Sequence, residues 1–104
     1  MTAVYDSNAQ KVVVVYEDDD NSDYGTAVVG TVSGTSISFG SAVVFAAANT
    51  ADPFAVYDSG AQQVVIAYKN NASGAYGTAI SGTVSGTSIS FGSAIVFELS
   101  LIHI

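Results

Sequence analysis

Apolar and polar positions along this chain fall into short strand-length runs, and the series of runs is written twice. Ala3-Val4-Tyr5-Asp6 and Ala55-Val56-Tyr57-Asp58 open the two series as short strands. Each is followed by a turn, Ser7 to Gln10 and Ser59 to Gln62, in which Asn8 is exchanged for Gly60. Asn and Gly share a tolerance of positive φ, so this position is expected to be left-handed. Val12 to Tyr16 and Val64 to Tyr68 are apolar at successive positions, the mark of a strand buried on both sides. Tyr24 to Val32 and Tyr76 to Val84 form the next strands. Their small residues, among them Gly25, Ala27, Gly77 and Ala79, are expected at junctions where another sheet approaches.

Ser33-Gly34 and Ser85-Gly86 signal tight hairpin turns. Ser36 to Phe39 and Ser88 to Phe91 alternate serine with apolar residues, so one face packs and the other is wet. Gly40 and Gly92 mark a bend, after which Ala42 to Phe45 and Ala94 to Phe97 continue the outer edge. Residues 46–53 cross to the second unit, with Pro53 at the start of a strand. No helical periodicity occurs.

The duplication is exact in places. Gly30 to Ala42, GTVSGTSISFGSA, returns letter for letter as Gly82 to Ala94, 52 positions later. Residues 3–46 lie over 55–98 without a gap, and 29 of the 44 pairs are identical. The differences concentrate: all seven positions from Glu17 to Asp23 differ from Lys69 to Ala75. One contiguous loop varies on a nearly constant frame. Four antiparallel strands per unit, repeated at about 50 residues, describe β-propeller blades. The expected fold is therefore all-β, with two four-stranded antiparallel blades over residues 1–52 and 53–98, an incomplete ring unless oligomerised. An eight-stranded sandwich or barrel and a β-solenoid are the alternatives.

The run V-Y-D-S-x-x-x-x-V-V-x-x-Y, followed by Y-G-T-A and by G-T-V-S-G-T-S-I-S-F-G-S-x-x-V-F, resembles the tandem propeller-type repeats of large phage and environmental-bacterial proteins. The resemblance covers residues 3–46 and 55–98. It implies a propeller in a tail-fibre, virion or cell-surface protein, with a binding or structural role and an extracellular or virion location. It carries over no catalytic residues. The aspartate box of sialidase propellers, S-x-D-x-G-x-T-W, is not matched, since the chain has no Trp. Residues Leu99 to Ile104, LSLIHI, leave the repeat and read as a translated sequencing adaptor rather than a native final strand. The natural protein is then expected to continue into further blades.

Composition narrows the function. The chain is 49% hydrophobic, rich in residues that favour strands, and holds no cysteine for disulfides or thiolate metal sites. No apolar stretch is long enough to cross a membrane as a helix, and the N-terminus does not read as a signal peptide. The net charge is −7 and lopsided. Residues 1–52 carry seven acids against Lys11, and residues 53–104 carry Asp58 and Glu98 against Lys69. With no basic patch, neither nucleic acid nor membrane insertion is expected, and anionic membrane surfaces are disfavoured.

The variable loops are the candidate binding site: Glu17, Asp18, Asp19, Asp20, Asn21 and Asp23 in the first copy, and Lys69, Asn70, Asn71 and Ser73 in the second. Clustered acids invite a calcium reading. The spacing lacks the glycine of an EF-hand loop and the second copy has no acid, so a solvated acidic loop is favoured and no metal or cofactor is expected. Asp6 and Asp58 recur at one position. They are read as capping their own turns rather than as paired acid–base carboxylates. The six tyrosines, Tyr5, Tyr16, Tyr24, Tyr57, Tyr68 and Tyr76, are read as core residues before sugar platforms. His103 is the single histidine and lies in the tail, so no nucleophilic triad can be built in the repeat. Asn71-Ala72-Ser73 is a glycosylation sequon, meaningful only in a secreted eukaryotic protein.

Three functions follow in descending order. The first is a non-catalytic module for carbohydrate or cell-surface recognition. The second is a structural repeat of a larger virion or surface protein, and the third a fragment of a glycoside-hydrolase-like propeller. Two blades leave a face and an edge open, so self-association into a ring is expected, as a trimer of six blades, unless further blades of a longer chain supply the closure.

Overall fold

In the computed structural model, which describes residues 1–98, each apolar run named above forms a strand. In the first repeat β1 (Thr2–Asp6) pairs with β2 (Lys11–Asp18), and β2 pairs with β3 (Tyr24–Ser33). Two segments share the far edge of β3. β4 (Ser36–Phe39) covers its C-terminal half, and the start of β5 (Val43–Asp58) covers its N-terminal half. The second repeat repeats the order: the end of β5, then β6 (Gln63–Asn70), β7 (Tyr76–Ser85), and along the edge of β7 both β8 (Ser88–Phe91) and β9 (Ile95–Glu98). The architecture is all-β, one open antiparallel sheet of nine strands.

The expected crossing over residues 46–53 does not exist as a separate connection. β5 is one continuous strand of 16 residues that pairs with β3 through Val43–Asn49 and with β6 through Thr50–Asp58. Two irregularities let it change partner. The register with β3 shifts at Gly25, and that with β6 shifts between Ala51 and Phe54, where Asp52 has φ 52. Pro53 lies inside this second shift rather than at a strand start, a place where no ladder hydrogen bond is asked of it.

The sheet folds back on itself, so that β5 lies against β1 and β2, and β8 against β3. The molecule is 20 Å through its thinnest dimension, the depth of two sheets roughly 10 Å apart. The central strands β2 and β6 are fully buried on one face and half-buried on the other, not on both as their composition implied. The two repeats bury opposite faces. In the first, Val4, Val13 and Val29 are cross-strand partners on the packed face. In the second, the packed row is Ala55, Ile66 and Ile80. Ala55 is the counterpart of Ala3 and Ile66 that of Val14, neither of them buried, so every alternate position has changed sides.

Ring contacts tie the halves together: Phe45 packs edge-on to Tyr68 at 5.3 Å and lies 5.8 Å from Phe91. Glycines of the third strands stand beside these rings, near the junction of the repeats. A Cβ at Gly25 would fall 2.6 Å from the Phe45 ring, and one at Gly82 would fall 2.7 Å from Phe91. These glycines seat aromatic rings from the outer strands of their own repeat, whereas Ala27 does reach the central core.

Candidate functional site

The variable segments emerge at one end of the sheet, at the β2–β3 and β6–β7 connections, opposite the hairpin turns at Gly34 and Gly86. Each contains one 3₁₀ turn, Asp19–Asn21 in the first repeat and Asn71–Ser73 in the second. Asp18 caps the first turn, its carboxylate accepting from the Asp20 amide at 3.1 Å. Asn70 caps the second, accepting from the Ala72 amide at 3.1 Å. The Asp23 amide closes back on the Asp18 carbonyl, and the Ala75 amide on that of Asn70, both at 2.9 Å. Both loops leave through two left-handed residues, Ser22-Asp23 and Gly74-Ala75. Seven differing residues thus build one backbone shape. The legible signal was the pair Asp18 and Asn70, since both side chains cap turns by accepting from the backbone.

Segment Asn49-Thr50 of β5 stands between the loops and holds both. Asn71 donates from Nδ2 to Asn49 Oδ1 at 3.0 Å, and the Thr50 amide donates to the Asp23 carbonyl at 2.9 Å. Thr50 is fully buried and its hydroxyl is satisfied by the Ala48 carbonyl at 3.0 Å. Neither Asn49 nor Thr50 stood out in the sequence, because their counterparts, Leu101 and Ile102, lie in the tail that leaves the repeat. Asp19, Asp20, Asn21, Glu17 and Asn71 are exposed, and Asp18, Asp23, Lys69 and Asn70 are half-buried. Ser73 ends the second 3₁₀ turn.

Carboxylate oxygens of Glu17, Asp19 and Asp23 gather within 4.8 Å of one another. They would be the ligands of any hard cation, and their counterparts Lys69, Asn71 and Ala75 offer no carboxylate. Asp23 is held above its ordinary carboxyl range, first by a hydrogen bond with Asp19, then by desolvation, then by the charges of Asp19 and Glu17. Like charges crowd here, which disfavours the ionised form of Asp23.

Elsewhere the candidate residues do structural work. Asp6 accepts from the amides of Asn8 and Ala9, each at 3.0 Å, and Asp58 accepts from those of Gly60 and Ala61 at 3.0 and 3.2 Å. Both are turn-capping residues, as read from the sequence. The left-handed residue in these turns is not Asn8 or Gly60 but Gln10, φ 59, and Gln62, φ 56. Asn8 and Gly60 serve as amide donors to the aspartate, which needs no positive φ. A depression of about 190 Å³, lined by Val65, Ala79, Ile80, Ser81, Ser93 and Ile95, opens on the second repeat and shares no residue with the loops. It is smaller than a typical ligand pocket of roughly 300 Å³ or more. His103 lies outside the described residues. No family model, curated protein or solved structure matches the chain.

Proposed function

We propose that this chain is a non-catalytic repeat module that presents the loop end of a blade-like frame for recognition of carbohydrate or cell-surface groups. One observation carries the reading. Nearly half of the differences between the repeats lie in two loops of identical backbone shape, tied to each other through Asn49 and Thr50. A constant scaffold with local variation in exposed loops is how recognition surfaces are built. The side chains there suit sugar hydroxyls: the carboxylates of Asp19 and Asp20, the amides of Asn21, Asn49 and Asn71, with Tyr24 and Tyr76 at the loop bases. The carboxylates of Asp6 and Asp58 are spent on turns, which favours binding over hydrolysis.

Each repeat orders its strands as a propeller blade would, and β5 leads from the outer edge of one directly into the first strand of the next. This supports a propeller within a virion or surface protein. A glycan array decides the recognition reading. Binding that is lost in Asp19→Ala/Asn71→Ala is expected, and an array without hits refutes it. The second reading, a purely structural repeat, draws on the opposite-face burial of the two copies.

A further inference from the structure

We infer that a second copy of this chain docks head to tail, the open face of its first repeat against the open face of the second repeat. The existing contact between the two repeats supplies the template. Across it, Phe45 of the first repeat packs on Tyr68 and Phe91 of the second. Tyr57 of the second repeat stands near Asp6 of the first, close enough to feel its charge. Gly40 comes so close to Thr87 that a Cβ there would overlap the Thr87 carbonyl oxygen.

The counterparts of these pairs are exposed, apart from Tyr16, which is half-buried. Phe97, counterpart of Phe45, is 59% exposed where Phe45 is 7% exposed. Its partners on an incoming chain would be Tyr16 and Phe39, counterparts of Tyr68 and Phe91, and Phe39 is exposed. Asp58 is exposed where Asp6 is buried, and its partner Tyr5 is exposed as well. A Cβ at Gly92 would meet nothing nearer than Ser81 at 3.8 Å, leaving room for Thr35 of the second copy. The depression at Val65 and Ala79 lies on this face, at the positions of Val13 and Ala27, which are fully buried in the first repeat.

Charge fits the same arrangement. Within the chain an acidic loop neighbours one without acids, joined by the Asn49–Asn71 bridge. Head-to-tail docking repeats that alternation and sets Glu17–Asp23 of the incoming chain beside Lys69. A face-to-same-face dimer of first repeats would oppose two acidic loops. A heterologous contact of this kind closes into a ring when its rotation divides the circle and otherwise grows as a filament. The expected closed form is three chains, six repeats.

Light scattering over a concentration series of the intact chain tests this, with two double variants of exposed residues. Val32→Lys/Ile37→Lys blocks the first-repeat face, and Ile95→Lys/Phe97→Lys blocks the second-repeat face. The intact chain is expected to assemble to a trimer, each variant to be a folded monomer, and an equimolar mixture of the two to form a 1:1 pair through the unblocked faces. Association of either variant alone would overturn the head-to-tail contact in favour of a symmetric one, as would a mixture that stays monomeric. Should a lysine pair prevent folding, the intact chain still decides: a monomer up to about 1 mM, the weakest affinity of interest, contradicts the docking.

Discussion

Ile37 and Ile89 stand at the same place in identical thirteen-residue stretches, yet Ile37 is 47% exposed and Ile89 3%. Phe45 and Phe97 show the inverse, the first-repeat residue covered and the second open. Local sequence cannot produce this difference, because it is the same in both copies for the isoleucines. Position in the stack produces it. A sheet has two faces, and the first and last members of a stack each cover only one. A repeat whose sequence suits both faces for burial is written for neighbours on both sides.

The comparison can be broken most forcefully in the core. Val13→Lys and Ile89→Lys each put a charge on a covered face, at a cost of several kcal/mol, and are expected to abolish cooperative folding. Ile37→Lys, in the same local sequence as Ile89, is expected to shift the stability of the dilute monomer by about 0.5 kcal/mol, the range of surface substitutions. Thermal melts followed by circular dichroism measure both. A soluble, cooperatively melting Val13→Lys protein would show that β2 is not buried as described.

A smaller contrast lies in the turns. Asp6 is buried and holds two amides, whereas Asp58 holds two amides in the open. Asp6→Ala is expected to lose about 2 kcal/mol, as for buried hydrogen bonds to a charged group, and Asp58→Ala about 0.5–1 kcal/mol. Denaturant titrations separate the two. Equal losses would mean that burial of Asp6 contributes nothing.

High pH probes the neighbourhood of Asp6. Burial raises Tyr57 above its ordinary pKa, Asp6 raises it further by charge and hydrogen bonding, and the Asn8 backbone and Ser7 partly offset this. Burial raises Tyr68 as well. The folded state therefore keeps protons that the unfolded chain releases near pH about 10. The stabilisation is complete below that value and is lost as pH rises through the raised folded values. Tyr57→Phe is expected to flatten part of that fall in a pH series of melts. Smallest is the effect in the acidic loop, where Asp19→Asn is expected to return Asp23 towards its ordinary carboxyl range in an NMR titration.

Much of the frame was legible before any coordinates. The strands follow from short apolar runs and, in Ser36 to Phe39 and Ser88 to Phe91, from alternation; the hairpins follow from Ser33-Gly34 and Ser85-Gly86, and the Asp6 and Asp58 turns from the habit of aspartate of bonding its own backbone. The continuous β5 was not, because residues 46–53 carry turn-like Asn49, Asp52 and Pro53, and only pairing with two different strands holds them extended. Nor was the role of Asn49 and Thr50, which depends on two loops distant in sequence. The shared shape of those loops was hidden by their unlike residues. The opposite faces of burial could not be read at all, since both faces of Val12 to Tyr16 and of Val64 to Tyr68 are apolar and only the stack chooses between them.

That choice is open to direct measurement because the chain has no cysteine of its own. Single cysteines at positions 37, 89, 45 and 97 can be labelled with a thiol reagent in dilute native protein and compared with labelling in denaturant. Positions 37 and 97 are expected to react at close to the unfolded rate, and positions 89 and 45 to be strongly protected. Equal protection of 37 and 89, in their identical surroundings of sequence, would contradict burial of opposite faces.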